Sequence, residues 1–263
     1  MPGILLRIPY IQNKVSEVAT TQLSGHLGVP VKIGNVDIEW FNRLVLEGLY
    51  LEDQDGKVMF EANHVAAGFE IMPLLEGKFV FTTVRLFGFS FNLRKHTPES
   101  PLNLQFVIDA FASKDSIKKE KNIDLRFNSI MIRRGNFSYN VDSEKETPGK
   151  FNAKHIDIKN LSAKISLKAF NKDSVNAHIK KMSFDEASGF SLNKLSLNVV
   201  GNRDSAFVQD FEVRLPQTNL KIGRARIDLS EIDSLPALLN NAPIDLNITC
   251  LLYTSPSPRD AHE

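Results

Sequence analysis

The residues with the chemistry to form a catalytic or metal site are few and widely spaced. Six histidines occur, at positions 26, 64, 96, 155, 178 and 262, and none has a second ligand at the H-x-x-x-H spacing that puts two imidazoles on one helical face. The stretch EDQDGK offers Asp53, Asp55 and Gly56 in the order of a calcium loop's first half. It lacks the distal glutamate and the flanking helices, and D-G between two strands reads as a hairpin turn. No nucleophile elbow, P-loop or dinucleotide fingerprint is present, so the isolated Gly34, Gly48 and Gly88 are read as bulges or close backbone approaches. Asp37, Glu39, Glu47 and Glu52 alternate with apolar neighbours, which places them on a solvated strand face. The basic pairs Arg133-Arg134 and Lys180-Lys181 are short charge runs of the kind found along solvated edges. The expectation is a non-enzymatic protein with no catalytic residue, metal or cofactor.

Charge narrows the partners. The 32 basic and 31 acidic residues leave a net charge of +1, without the basic excess that a nucleic-acid partner demands. The aromatic residues are 18 Phe against 4 Tyr and 1 Trp, and phenylalanine, which has no polar handle, suits surfaces that are purely apolar.

The elements that carry these residues are strands. Apolar residues alternate through Val31 and Ile33, then Val36, Ile38 and Trp40, then Leu44 and Leu46, then Leu49 and Leu51, and Phe79, Phe81, Phe87, Phe89 and Phe91 fall mostly on alternating positions. Helical spacing of Ile11, Val15, Val18, Ala19 and Leu23 predicts an amphipathic helix over about 9–26 that caps the first strands. A second, short helix is expected in SPLNLQFVIDAFAS, 100–113, and MPLLEGK predicts a helical turn. KDSIKKEK reads as a polar linker. No βαβ rhythm is visible, so the expected fold is mostly β: a long antiparallel sheet, apolar on one face and polar on the other. F-x-A-x-H occurs at 60–64 and again at 151–155, an echo that predicts matching structural positions for His64 and His155.

The two ends break this pattern. Residues 250–260, CLLYTSPSPRD, match the translation of a transposase sequencing adapter, so 250–263 is read as an assembly scar and left out of fold reasoning. On that reading the natural chain is expected to be a fragment, and Cys250, the one cysteine, is not native. Residues 1–8 are too short an apolar run to span a bilayer and are read as the end of a clipped membrane anchor.

The segment LRIPYIQNKVSEVATTQLSGHLGVPVKIGNVDIEWFNRLVLEGLYLEDQDG, its L-x-L-x-G-L-x-L-x-D step, PLLEGKFVFTTVRLFGFSFNLR and FNAKHIDIKNLSAKISL together resemble TamB-type proteins of the AsmA-like superfamily, over residues 4–249. The resemblance implies a sheet curled into a U-shaped, taco-like groove over 9–249, a fold shared with chorein-type bridge-like lipid transfer proteins. It also implies a periplasmic location, attachment to the inner membrane through an upstream anchor, and an outer-membrane barrel partner. The expected function is carriage of phospholipid acyl chains between the two membranes. The alternative is a scaffold for outer-membrane protein insertion or secretion, and a closed β-sandwich enzyme or carbohydrate binder is a third. The expected groove lining is Val31, Ile33, Val36, Ile38, Trp40, Phe79, Phe81, Phe89 and Phe91, with the Val31/Ile33 set facing inward.

Overall fold

A computed structural model describes residues 9–39, 42–72, 79–111, 123–171, 174–202, 204–228, 244–247 and 253–254. The chain is mostly β. Helix α1 (Pro9–Leu27) leads into β1 (Val31–Lys32), β2 (Asn35–Glu39), β3 (Arg43–Glu52), β4 (Val58–Phe69) and β5 (Phe79–Lys95). Helix α2 (Gln105–Phe111) follows, then β6 (Ile123–Val141), β7 (His155–Asn171), β8 (Ser174–Glu186), β9 (Ser191–Asn202), β10 (Ser205–Arg214) and β11 (Thr218–Asp228). Two short strands, β12 (Ile244–Asn247) and β13 (Tyr253–Thr254), both pair with β11. Hydrogen-bonded neighbours follow sequence order from β3 to β12, with β1 and β2 both on the free edge of β3.

Among the described strand registers, every pairing is antiparallel except one. Strands β5 and β6 run parallel, Phe79 beside Ile123 through to Lys95 beside Val141. Two strands can run parallel only if the chain returns to the starting end, and α2 lies on that return. The sheet is therefore mixed, with one strand–helix–strand crossover where the sequence rhythm indicated none. The helical turn expected in MPLLEGK and the KDSIKKEK linker lie largely outside the described residues.

The chain divides into two compact units. Unit 1 comprises 1–161 with 185–190, and unit 2 comprises 162–184 with 191–263. The core of unit 1 sits under α1. Val31, Ile33 and Val36 are buried there, with Leu23 and Leu27 of the helix and Leu44, Leu46, Leu49 and Leu51 of β3 packed against them. Each such side chain, fully buried, contributes about 1.5–3 kcal/mol.

This cluster exposes a feature of the strands themselves. Leu46 and Leu49 are three residues apart, and in a regular strand they would point to opposite faces. Yet Val36 lies across from Leu46, Val31 lies across from Leu51, and all four belong to one core. Gly48 resolves the conflict. Its φ of 62° is left-handed, which interrupts the two-residue alternation and returns the apolar set to the same face. The same step of three recurs along the row. Ile33 and Val36 flank Gly34, whose amide donates to the Glu47 carbonyl at 2.9 Å. Ala62 and Val65 flank Asn63. Leu86 and Phe89 flank Gly88, at φ 58°, and Ile132 and Gly135 flank Arg134, at φ 52°. Strand β7 repeats it once more, with Ile158 and Leu161 on either side of Asn160 at φ 56°. A crease in the alternation, left-handed at Gly48, Gly88, Arg134 and Asn160, thus crosses unit 1, and the apolar face runs through it.

Unit 2 carries the same signature in β10 and β11. Ala206 and Val208 precede, and Phe211 and Val213 follow, Asp210 at φ 52°, where β10 bulges against β9. Their partners across the ladder are Ile227 and Ala225, then Ile222 and Leu220, again a step of three.

Candidate functional site: an apolar face with an aromatic ladder

Beyond the α1 core, the same face of unit 1 continues over β4, β5 and β6. Cross-strand registry brings Phe60 opposite Phe91 and Phe91 opposite Phe137. The rings form a ladder: Phe60 to Phe89 at 6.1 Å, Phe60 to Phe91 edge-on at 5.7 Å, and Phe91 to Phe137 edge-on at 6.1 Å. Such pairs contribute about 0.5–1.5 kcal/mol beyond their buried area. Phe89 lies over Gly135, where an added Cβ would run into its ring. On the far side of the crease the face is continued by Val65, Leu86, Ile130 and Ile132.

What distinguishes this strip from the covered core is the helix rather than the degree of burial, since Leu44, Leu46, Leu49 and Leu51 under α1 are also only partly buried. Phe89 is buried, while Phe60, Phe91, Phe137, Val65, Leu86, Ile130 and Ile132 are only partly so. Among the described residues α1 packs on β1 and β2, and α2 meets α1, where His26 Nε2 lies 2.9 Å from the Ala110 carbonyl oxygen. The strip over β4–β6 thus retains access to solvent or to an apolar ligand.

The nine expected lining residues fall into three groups. Phe89 and Phe91 belong to the ladder. Val31, Ile33 and Val36 face the same side, but they lie beneath α1 with exposures of 5%, 8% and 7%. They are core, because the helix occupies the space a ligand would need. Ile38 is half-buried beside Leu44. Trp40 lies outside the described residues, and Phe79 and Phe81 are described as β5 backbone alone. Phe60, Phe137, Leu86 and Ile132 were missed; the signal that finds them is the step V-x-L-x-G-F-x-F at 84–91, which repeats L-x-L-x-G-L-x-L at 44–51.

Phe87 illustrates the crease from the other side. It shares an odd number with Phe89 and Phe91, yet Gly88 separates them, and Phe87 lies on the polar face. There it meets the His64 ring edge-on at 5.6 Å, and the Arg133 guanidinium lies 5.8 Å from its centre. His155, the expected counterpart of His64, opens β7 instead. Its Nδ1 is 3.1 Å from Asn140 Oδ1 and its Nε2 is 3.0 Å from the Glu144 carbonyl oxygen, so it closes the 142–154 loop. The sequence echo therefore does not mark equivalent positions.

The EDQDGK turn is a structural clasp. Asp53, 2% exposed, accepts hydrogen bonds from the Asp55 and Lys57 amides, from Asn103 Nδ2 at 3.0 Å and from Arg94 Nη2 at 2.9 Å. Burial by itself would push the Asp53 carboxyl up. The bonds from Asn103 and the two amides, together with the Arg94 charge, outweigh it and hold the group below the ordinary carboxylate value. Arg94 also reaches Asp55 at 2.6 Å, and His96 lies between Asp55 and Asp142 at 3.2 and 3.4 Å. Every anion here already has a cation, so the clasp ties the β3–β4 turn to the end of β5. Among the described residues no group of three His, Cys, Asp or Glu side chains could hold a metal ion, and no helix is long and apolar enough to cross a membrane.

No protein-family model matches this chain, and no curated protein or solved structure was found to be similar to it.

Proposed function

We propose that the chain is a non-enzymatic groove protein of the cell envelope that carries phospholipid acyl chains along the apolar face of its sheet. The observation that supports this reading is the half-buried aromatic ladder, on an apolar face continuous through the crease. A sheet whose left-handed residues preserve one apolar face past the end of its covered core suits a ligand that is itself long and apolar. Moving a diacyl lipid through water exposes about 30 methylenes at about 0.8 kcal/mol each, a barrier on the order of 20 kcal/mol. A contiguous strip of Phe, Leu and Ile removes most of that barrier with no bond made or broken. Carriage between an inner and an outer membrane, a periplasmic location, an upstream anchor and an outer-membrane partner follow from the resemblance of residues 4–249 and belong to the same proposal.

The test is lipid content and transfer. Full-length chain expressed in a Gram-negative envelope is purified in mild detergent, and its bound lipid is quantified by mass spectrometry. The expected result is co-purified phospholipid that is lost from a Phe91→Asp/Phe137→Asp variant with an unchanged circular-dichroism spectrum. Absence of lipid from the parent chain, with transfer between vesicles equally slow with or without it, would sink the reading.

A further inference from the structure

We propose that unit 2 carries a binding site for a phosphate-bearing anion at the β10–β11 hairpin. The site is independent of the acyl-chain reading, because it stands on different residues, on the polar face. The hairpin is tight: the Leu215 amide donates to the Thr218 carbonyl at 2.7 Å. Ladder pairing sets Lys194, Arg214 and Asn219 in one row and Ser196, Glu212 and Lys221 in the next, on one face of the sheet. Glu212 sits among three cations, Lys194 Nζ at 2.5 Å, Arg214 Nε at 2.6 Å and Lys221 Nζ at 4.0 Å. Lys181, from β8, lines the same cavity of about 480 Å³ together with Lys194, Arg214, Asn193, Gln217, Thr218 and Asn219.

The charge is unbalanced. Among the described ion pairs, Glu212 is the one carboxylate that Lys194, Arg214 and Lys221 share, and Lys181 adds a fourth cation with no carboxylate of its own. It is 12% exposed, whereas Arg214 and Lys221 are 51% and 52% exposed, so the carboxylate sits beneath and fixes cations that present their remaining donors outward. Arg214 hydrogen-bonds Glu212 through Nε, which leaves its two Nη nitrogens for a second acceptor. A guanidinium edge grips two oxygens of one phosphate, and the lysines add point charges on the remaining oxygens. The cavity exceeds the volume of one phosphate group, so it has room for whatever the phosphate is esterified to. The Lys180-Lys181 pair, ordinary as a charge run, thereby acquires a specific neighbour.

A phosphate of this kind could come from a lipid headgroup or from a soluble ester, and the experiment separates them. Full-length chain is titrated with inorganic phosphate and with glycerol 3-phosphate by calorimetry, and mixed with vesicles of phosphatidylglycerol or of phosphatidylcholine in a flotation assay. Lys181→Gln, which removes a cation with no ion pair among the described residues, and Lys221→Gln, which removes the most distant partner of Glu212, keep the fold testable alongside Arg214→Gln. The expected result is a loss of affinity of about tenfold for each cation removed, with binding that weakens as salt rises. Loss in the soluble arms identifies a free phosphate ester, and loss confined to phosphatidylglycerol vesicles identifies a lipid phosphate. The proposal is overturned if the parent chain binds in no arm, or if folded Lys181→Gln and Arg214→Gln bind as tightly as the parent.

Discussion

Two stretches of one sheet face in unit 1 are built from the same kinds of residue and end up in different states. At the β1–β3 edge, Val31, Ile33 and Val36 are sealed by Leu23 and Leu27 of α1. Over β4–β6, Phe60, Phe91 and Phe137 touch one another and retain partial access. Both stretches cross the same crease, and both keep their apolar set on one side of it. The difference lies in whether a helix is laid on top. Apolar alternation therefore specifies which face is apolar but not whether that face is closed; a covering element decides that.

This contrast can be broken at either half. The largest effect is expected from Val36→Asp, which places an unpaired carboxylate in the sealed core and should cost about 4 kcal/mol, read by urea denaturation. Gly88→Val comes next, at about 2 kcal/mol, because a β-branched residue is forced to a left-handed φ and its Cβ meets the Asn63 side chain. It should also mis-phase the ladder, so that the fluorescence of a bound apolar dye falls with it. Asp53→Asn, in the clasp beside the open strip, should cost about 2 kcal/mol by weakening the Arg94 contact.

The same aspartate sets a pH dependence. Its carboxyl, like those of Glu186 and Glu212, lies below its ordinary value in the folded chain. For Glu186 the hydrogen bond from the Ser188 hydroxyl is the main cause, and for Glu212 the bond from Lys194. A depressed carboxylate adds stability that is present above its unfolded pKa, about 4, and is lost as pH falls through the folded value. Thermal midpoints should therefore drop on the acid side of about pH 4, and drop less steeply in Asp53→Asn. Smaller effects complete the series. Arg134→Gly relieves a left-handed arginine and should stabilise by about 0.5 kcal/mol, net of the glycine's added chain entropy. Phe91→Asp, on the half-buried strip, gives up its contacts with Phe60 and Phe137 and should cost less stability than Val36→Asp while abolishing the bound lipid, which Val36→Asp reaches only through unfolding.

Much of the architecture was legible in the sequence. The helix expected over 9–26 is α1 at Pro9–Leu27, and the one expected within 100–113 is α2 at Gln105–Phe111. The strands were legible because β-branched and aromatic residues alternate with polar ones. Two things were not. The parallel β5–β6 pair depends on where the chain goes between Lys95 and Ile123, which the alternation within the strands does not record. The open strip was hidden by parity. Counting every second residue groups Phe87 with Phe89, whereas the left-handed Gly88 puts them on opposite faces. Gly48 and Gly88 were legible as interruptions; that they share a row with Asn63 and Arg134 emerges only from the register. The basic cluster at Glu212 was unreadable for another reason: Lys181, Lys194 and Arg214 come from three strands, and only pairing brings them together.

The crease has a consequence for how such a sheet can grow. Any segment that reads two alternating apolar residues, a step of three and two more fits beside its neighbour with the interruption in line, whatever the rest of its sequence. Inserting or deleting one residue within a strand throws its apolar set out of phase, while adding a whole strand leaves every existing one undisturbed. Length is then a quantity that can be changed in units of complete strands, by duplication, without redesign of what is already there.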